Sequence, residues 1–144
     1  MKKLVLTLGT ALATAGLALA ASAARAETTI DLTVTGMAAP PKGNLMIALH
    51  DEKGWSGAPL ARLRVAVTNA TMTVALAAPA PGRYGIRLYH DVDGDGKMAT
   101  NLVGFPSEPF GFSNDAPIVL ASPGFSEAAF DVGPGATAHR ITLK

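Results

Sequence analysis

Asp91, Asp93 and Asp95 alternate along "YHDVDGDGKMATN", residues 89–101, with Gly94 and Gly96 between and after them. Carboxylates at alternate positions of a tight turn aim several oxygens at one point. Calcium wants such an arrangement, because it takes about six to eight oxygen ligands. Counted as a calcium loop from Asp91, the first, third and fifth positions are Asp and the sixth is Gly96. Lys97 stands at the seventh, where the pattern uses a backbone carbonyl. The ninth and twelfth positions are Ala99 and Leu102, which offer no side-chain oxygen. Asn101 and, from farther along, Asp115 are the nearest substitutes. The first half of a calcium loop is therefore spelled out and the second half is not. The competing reading is an acidic turn, since Asp and Gly also serve local hydrogen bonding and positive φ.

Two further sets of residues carry chemistry. "IALHD" and "IRLYHD" each end a strand-like run in His-Asp, so His50 and His90 on one rim, with the Asp91–Asp95 turn, would form an alternative metal site open to catalysis, the competing reading being that each His caps its strand end by hydrogen bonding. Trp55, the sole Trp, joins Phe105, Phe110 and Phe112 as candidates for a ligand surface, the competing reading being a satellite core. Ser113 and Ser126 sit in Gly-Phe-Ser fragments that lack the second Gly of a nucleophile elbow. With no compelling triad, and no carboxylate pair in an apolar setting, the sequence argues against an enzyme. No catalytic residue and no organic cofactor is expected; calcium is the one cofactor to test.

The elements that must hold these residues are strands. "TTIDLTVTG" alternates Ile30, Leu32 and Val34 with polar residues, the period of a strand with one buried face. "NLMIALHD" puts Leu45, Ile47 and Leu49 on one side. "ARLRVAVTN" sets Leu63, Val65 and Val67 against Arg62 and Arg64. "TMTVALAA" follows so closely that a hairpin with the preceding strand is expected. "PGRYGIRLYHD" sets Tyr84, Ile86, Leu88 and His90 against Arg83, Arg87 and Tyr89. "EAAFDVG" and "TAHRITLK" close the chain across Gly133-Pro134-Gly135, a turn signal. The expectation is an all-β, seven-stranded antiparallel sandwich. Its one irregularity is a long loop, 91–117, whose Leu102, Val103 and three Phe are too apolar for disorder. Aromatic packing or a bound cation must order it.

The N-terminus reads as a secretory signal. Lys2 and Lys3 precede an apolar run to Ala20, and Ala24-Arg25-Ala26 is a small-x-small cleavage pattern. Residues 1–26 are expected to be removed, leaving 27–144 as a single domain in the periplasm or outside the cell. The chain has no Cys, which excludes disulfides, thiol catalysis and zinc–thiolate sites. Its formal charge of +1 includes Lys2, Lys3 and Arg25, so the remainder is slightly acidic. No basic run points to nucleic acid, and no second apolar stretch spans a membrane. The expected partner is a protein, a peptide or a glycan.

"GRYGIRLYHDVDGDGKMATNLVGFPSEPFGFSND", with "FSEAAFDV" near the end, resembles the bacterial exported family known as domain of unknown function twenty-one forty-one. The likeness runs from the "LTVTG" strand to the last strand. It implies a small exported β-sandwich with no established activity and no agreed ligand. It also implies an acidic residue at position 99, where this chain has Ala99. The residues themselves favour an immunoglobulin-like or prealbumin-like sandwich that acts as a non-enzymatic binding or accessory module, the alternative to any binding role being a purely structural protein with no ligand. "PGRY" is similar, over a shorter pattern, to the prealbumin-like accessory domains of larger secreted enzymes.

Overall fold

The computed structural model describes residues 27–144; the expected signal segment, 1–26, lies outside the described residues. Eight strands form two sheets. They are β1 (Thr28–Thr35), β2 (Asn44–His50), β3 (Ala61–Ala66), β4 (Thr71–Ala77), β5 (Gly82–Asp91), β6 (Phe110–Phe112), β7 (Phe130–Val132) and β8 (Gly135–Thr142). One sheet has the order β4-β1-β8; the other runs β3-β2-β5-β6, with β7 also paired to β5. A 3-10 turn at Ser113–Asp115 and a single helical turn, α1 (Phe125–Ala128), are the helical parts of the described residues.

Alternation explains both sheets. Ile30, Leu32 and Val34 of β1 face Leu45, Ile47 and Leu49 of β2 and Ile86 and Leu88 of β5 across one core, joined by Leu76 and Ile141. These side chains are almost fully buried. Each contributes roughly 1.5–3 kcal/mol by leaving water. The intervening residues of β2, β3 and β5 point the other way and form an outer face of the five-stranded sheet.

Three expectations are corrected. The strands of the described residues number eight rather than seven. The eighth, β6, lies inside the segment read as the long loop 91–117, where "FGF" is too short for its alternation to be seen. The pairing is not wholly antiparallel, because β8 runs parallel to β1 from Thr28↔Gly135 to Thr35↔Thr142. The expected β3–β4 hairpin does not form. β3 pairs with β2 and β4 with β1, so residues 67–70 carry the chain from one sheet to the other. A short link between strands signals a turn, but two-sheet packing decides whether the turn closes a hairpin or changes sheet.

Candidate functional site

The acidic turn starts where β5 ends. Asp91 is fully buried. Its Oδ1 accepts the Gly94 N–H at 2.9 Å and its Oδ2 accepts the Gly96 N–H at 2.9 Å. Both glycines have φ near +77°, a conformation that side chains other than Gly adopt at a cost. Asp93 accepts from the Asp95 N–H at 3.1 Å, and Asp95 from the Lys97 N–H at 2.7 Å. Oxygens of the three carboxylates converge within 4.8 Å of one another. The structure thus brings together Asp91, Asp93 and Asp95. Lys97 enters through its N–H. Asn101 does not join them: its Oδ1 accepts the N–H groups of Val103 and Phe105 at 3.1 and 3.0 Å. Asp115 is committed elsewhere, accepting the Thr142 N–H at 2.7 Å.

What orders the long segment is a residue that sequence reasoning passed over. Glu108 is buried, and its two oxygens accept the Val92 N–H at 2.8 Å and the Ala99 N–H at 3.0 Å. It ties both shoulders of the acidic turn to the start of β6. Residues 99–107 then fold on themselves, with a Thr100↔Pro106 bridge and a Ser107–Ala99 backbone bond of 2.8 Å. At its tip Leu102, Val103 and Phe105 are exposed. A lone Glu between Ser and Pro gives no sequence signal for this role.

The two histidines do not form the expected alternative metal pair. His90 pairs with Leu45 on β2, five residues from His50, a separation of roughly 17 Å along the strand. They also lie on opposite faces. His90 is inward and fully buried. Its Nδ1 accepts the Ala38 N–H at 3.1 Å and its Nε2 donates to the Lys42 carbonyl at 2.6 Å. Both ring nitrogens are used to hold the β1–β2 connection. His50 is outward, and its Nδ1 donates to the Gly54 carbonyl at 2.8 Å.

The four aromatics also divide. Trp55 and Phe112 are buried in a second small core with Ala116 and Ala128, and Phe110 packs partly against it. Phe105 stands apart at the exposed tip. Trp55 is held at three points: its Nε1 donates to the Pro123 carbonyl at 2.9 Å, its ring meets His50 edge-on, and it lies over Gly85. A Cβ at Gly85 would come within 2.7 Å of the indole ring. Ser113 is buried beneath this core. Its Oγ accepts the Ile86 N–H at 2.8 Å and donates to the Ala128 carbonyl, so it is a structural hydroxyl.

Between this small core and the acidic turn, an open cleft of about 510 Å³ lies on the outer face of the five-stranded sheet. The register lays out its floor. One row across the sheet is Arg62–Ala48–Arg87–Phe112, and the next is Arg64–Met46–Tyr89–Phe110. Arg87 stacks on Trp55, with its guanidinium carbon 4.2 Å from the ring centre, and donates Nη2 to the Trp55 carbonyl. Its Nε is buried without a hydrogen-bond partner. Among the described residues the one ion pair is Arg83–Asp131. Arg62, Arg64 and Arg87 have no carboxylate at salt-bridge distance, and no Asp or Glu lines the cleft. Burial pushes the Arg87 guanidinium below its ordinary pKa, though it stays charged at neutral pH. Burial also lowers the His50 pKa, and the nearby Arg87 and Arg62 charges lower it further. Tyr89 is pushed the other way, by burial and by the charges of Asp91, Glu108 and Asp95. Its hydroxyl donates to the Gly96 carbonyl at 3.1 Å and so joins the cleft to the acidic turn. The sequence placed Arg62, Arg64 and Arg87 on outward faces. It did not bring them together, because that needs the strand order.

No curated protein and no solved structure matches the chain. Residues 32–140 match the family described as an uncharacterized protein conserved in bacteria (DUF2141), and the chain belongs to that family.

Proposed function

We propose that this is an exported β-sandwich of immunoglobulin-like or prealbumin-like type that acts as a non-enzymatic binding module. The cleft on the outer face of the five-stranded sheet carries the reading. At about 510 Å³ it has the size of small-molecule sites. Its floor is a rigid sheet, its walls come from three loops, and its arginines have no acidic partners. Trp55 gives an intrinsic signal, because its ring lies against two residues of the cleft, Arg87 and His50. A small-molecule library screened by thermal melting and Trp55 fluorescence tests the reading. Expected are ligands that raise the melting temperature and lose this effect in Arg62→Gln/Arg64→Gln. A ligand at one hundred times its dissociation constant stabilises by about 2.7 kcal/mol. A library of charged, neutral and apolar compounds without a single cleft-dependent shift would sink the reading. Export rests on the Lys2-Lys3, apolar and Ala-Arg-Ala pattern of residues 1–26. Intact mass of the protein from the periplasmic or extracellular fraction should begin at Glu27; a retained precursor argues against export.

A second reading, a low-affinity calcium site at Asp91, Asp93 and Asp95, is favoured by the convergence of their oxygens within 4.8 Å. Hydrogen bonds from the turn's own backbone occupy part of each carboxylate, which keeps the affinity low. Melting with millimolar calcium against chelator decides it: a rise that Asp93→Asn/Asp95→Asn removes supports the site, and coincident melts dismiss it.

A further inference from the structure

We infer that the ligand of this cleft is an amphiphilic anion: a carboxylate or phosphate head carrying an apolar body. The inference rests on the binding-module reading and names its ligand class.

The head site comes from the register. Arg62 and Arg87 flank Ala48 in one row across the sheet. Two strand spacings put their backbones about 10 Å apart. The residue between them ends at its Cβ, so the floor there is open. Two guanidinium groups reaching over a methyl can converge on one anion, and planar guanidinium matches carboxylate and phosphate geometry. Neither has a carboxylate partner among the described residues. Arg87 is held on the Trp55 ring and by the Trp55 carbonyl, so it gives up little freedom on binding. Its buried, unpartnered Nε adds unmet donor capacity. His50 stands one row further along. The Arg62 and Arg87 guanidinium groups have no carboxylate at salt-bridge distance and repel one another, and an anion between them relieves that repulsion.

The body site lies on the other side of the arginine row. Met46 and Phe110 occupy the next row, about 7 Å away. Met98 and Pro106, from the segment that Glu108 ties down, wall that end. Methionine adapts to irregular apolar shapes, and no charged side chain other than Arg64 stands in that row. A hydrophilic anion would leave this end unused. A neutral apolar ligand would leave the arginines uncompensated.

The test compares monomeric dodecanoate, dodecanol and inorganic phosphate, each below any micelle-forming concentration. Binding is followed by Trp55 fluorescence and by amide shifts of Ala48 and Arg87. One dodecanoate should bind per chain, at least tenfold more tightly than dodecanol. Arg62→Gln/Arg64→Gln, at exposed positions, should erase that difference while the melting temperature holds. Equal binding of dodecanol and dodecanoate overturns the anionic head and leaves the binding-module reading standing. Phosphate binding as tightly as dodecanoate overturns the apolar body. Binding to anionic vesicles without binding of monomeric dodecanoate overturns a single amphiphile in favour of a membrane surface. If none of the probes binds while the library finds a cleft ligand of another class, this inference alone falls. If the library finds none either, both fall.

Discussion

Two charged regions meet at Tyr89, and they use charge in opposite ways. On one side, Asp91 and Glu108 are buried and spend all four carboxylate oxygens on backbone N–H groups of their own segment. On the other, Arg62, Arg64 and Arg87 stand without carboxylate partners over an open cleft. The acidic charges build the structure and the basic ones are left available. The conspicuous motif is therefore the poorer guide to binding. Carboxylates close in sequence reach local N–H donors easily and are consumed by them. Arg64 and Arg87 donate only to backbone carbonyls, those of Gly94 and Trp55, and none of the three cleft arginines has a carboxylate at salt-bridge distance.

Removing a consumed charge should have the largest effect. Asp91→Ala strands the N–H groups of Gly94 and Gly96. Bonds to an ionised acceptor are worth about 1.5–3 kcal/mol each. A loss of about 3 kcal/mol is expected, lowering the melting temperature by roughly 10 °C. Glu108→Ala should act likewise through the Val92 and Ala99 N–H groups. Melts in chelator check this. A full loss in chelator assigns the carboxylates to folding. A loss that appears only with calcium present would reverse the comparison and make the acidic turn a metal site.

Gly85→Ala probes the support of the basic region. The added Cβ meets the Trp55 ring at 2.7 Å, so the indole must shift and its stacking with Arg87 is disturbed. Overpacking of this kind costs about 1–3 kcal/mol. A red-shifted Trp55 emission and loss of any cleft ligand should accompany it. Unchanged emission and binding would mean that Trp55 does not hold the arginine in place.

The difference between the regions also explains what could be read in advance. Alternation gave the inward and outward faces of β5, including Tyr84, Ile86, Leu88 and His90 on one side and Arg87 and Tyr89 on the other, because a strand's period is a local property. The acidic turn was visible because its spacing is local as well. Glu108 was not, since its partners, Val92 and Ala99, lie sixteen and nine residues back. The Arg62–Ala48–Arg87 row was not, since it joins three strands whose order is set by packing across the core. β6 was missed because it is a strand through pairing with β5, its three residues having no period of their own.

A smaller effect is expected from pH. His50 and His139 both have pKa values lowered chiefly by burial. His50 faces the Gly54 carbonyl, Arg87, Arg62 and Asp51. The ring of His139 stacks on Phe130, and its Nε2 accepts the Asn114 N–H. The unfolded chain, with histidines near pH 6.5, takes up protons first as pH falls. Stability is thus complete above about pH 6.5 and declines as pH drops from there through the lower folded-state values. His50→Gln should flatten part of that decline below about pH 6.5. An unaltered slope in the variant would mean that His50 can be protonated in place, within reach of Arg62 and Arg87, at no cost.

The smallest predicted change tests the comparison most directly. Arg62 is exposed and unpaired, and its backbone lies about 10 Å from that of Arg87 across the sheet, a scale for the charge separation. In water two unit charges at that distance repel by about 0.4 kcal/mol, and physiological salt screens most of it. Arg62→Gln should therefore leave stability unchanged at high salt and raise it by a few tenths of a kcal/mol at low salt. Chemical denaturation with urea, which does not itself screen charge, can resolve that sign across a salt series. A side chain kept for folding would give the opposite sign. A loss of 1 kcal/mol or more would show that Arg62 has a structural partner after all, making the basic region as self-consuming as the acidic one. A salt-dependent gain fits a charge held in place at a small cost to the fold, as an anion-binding side chain would be.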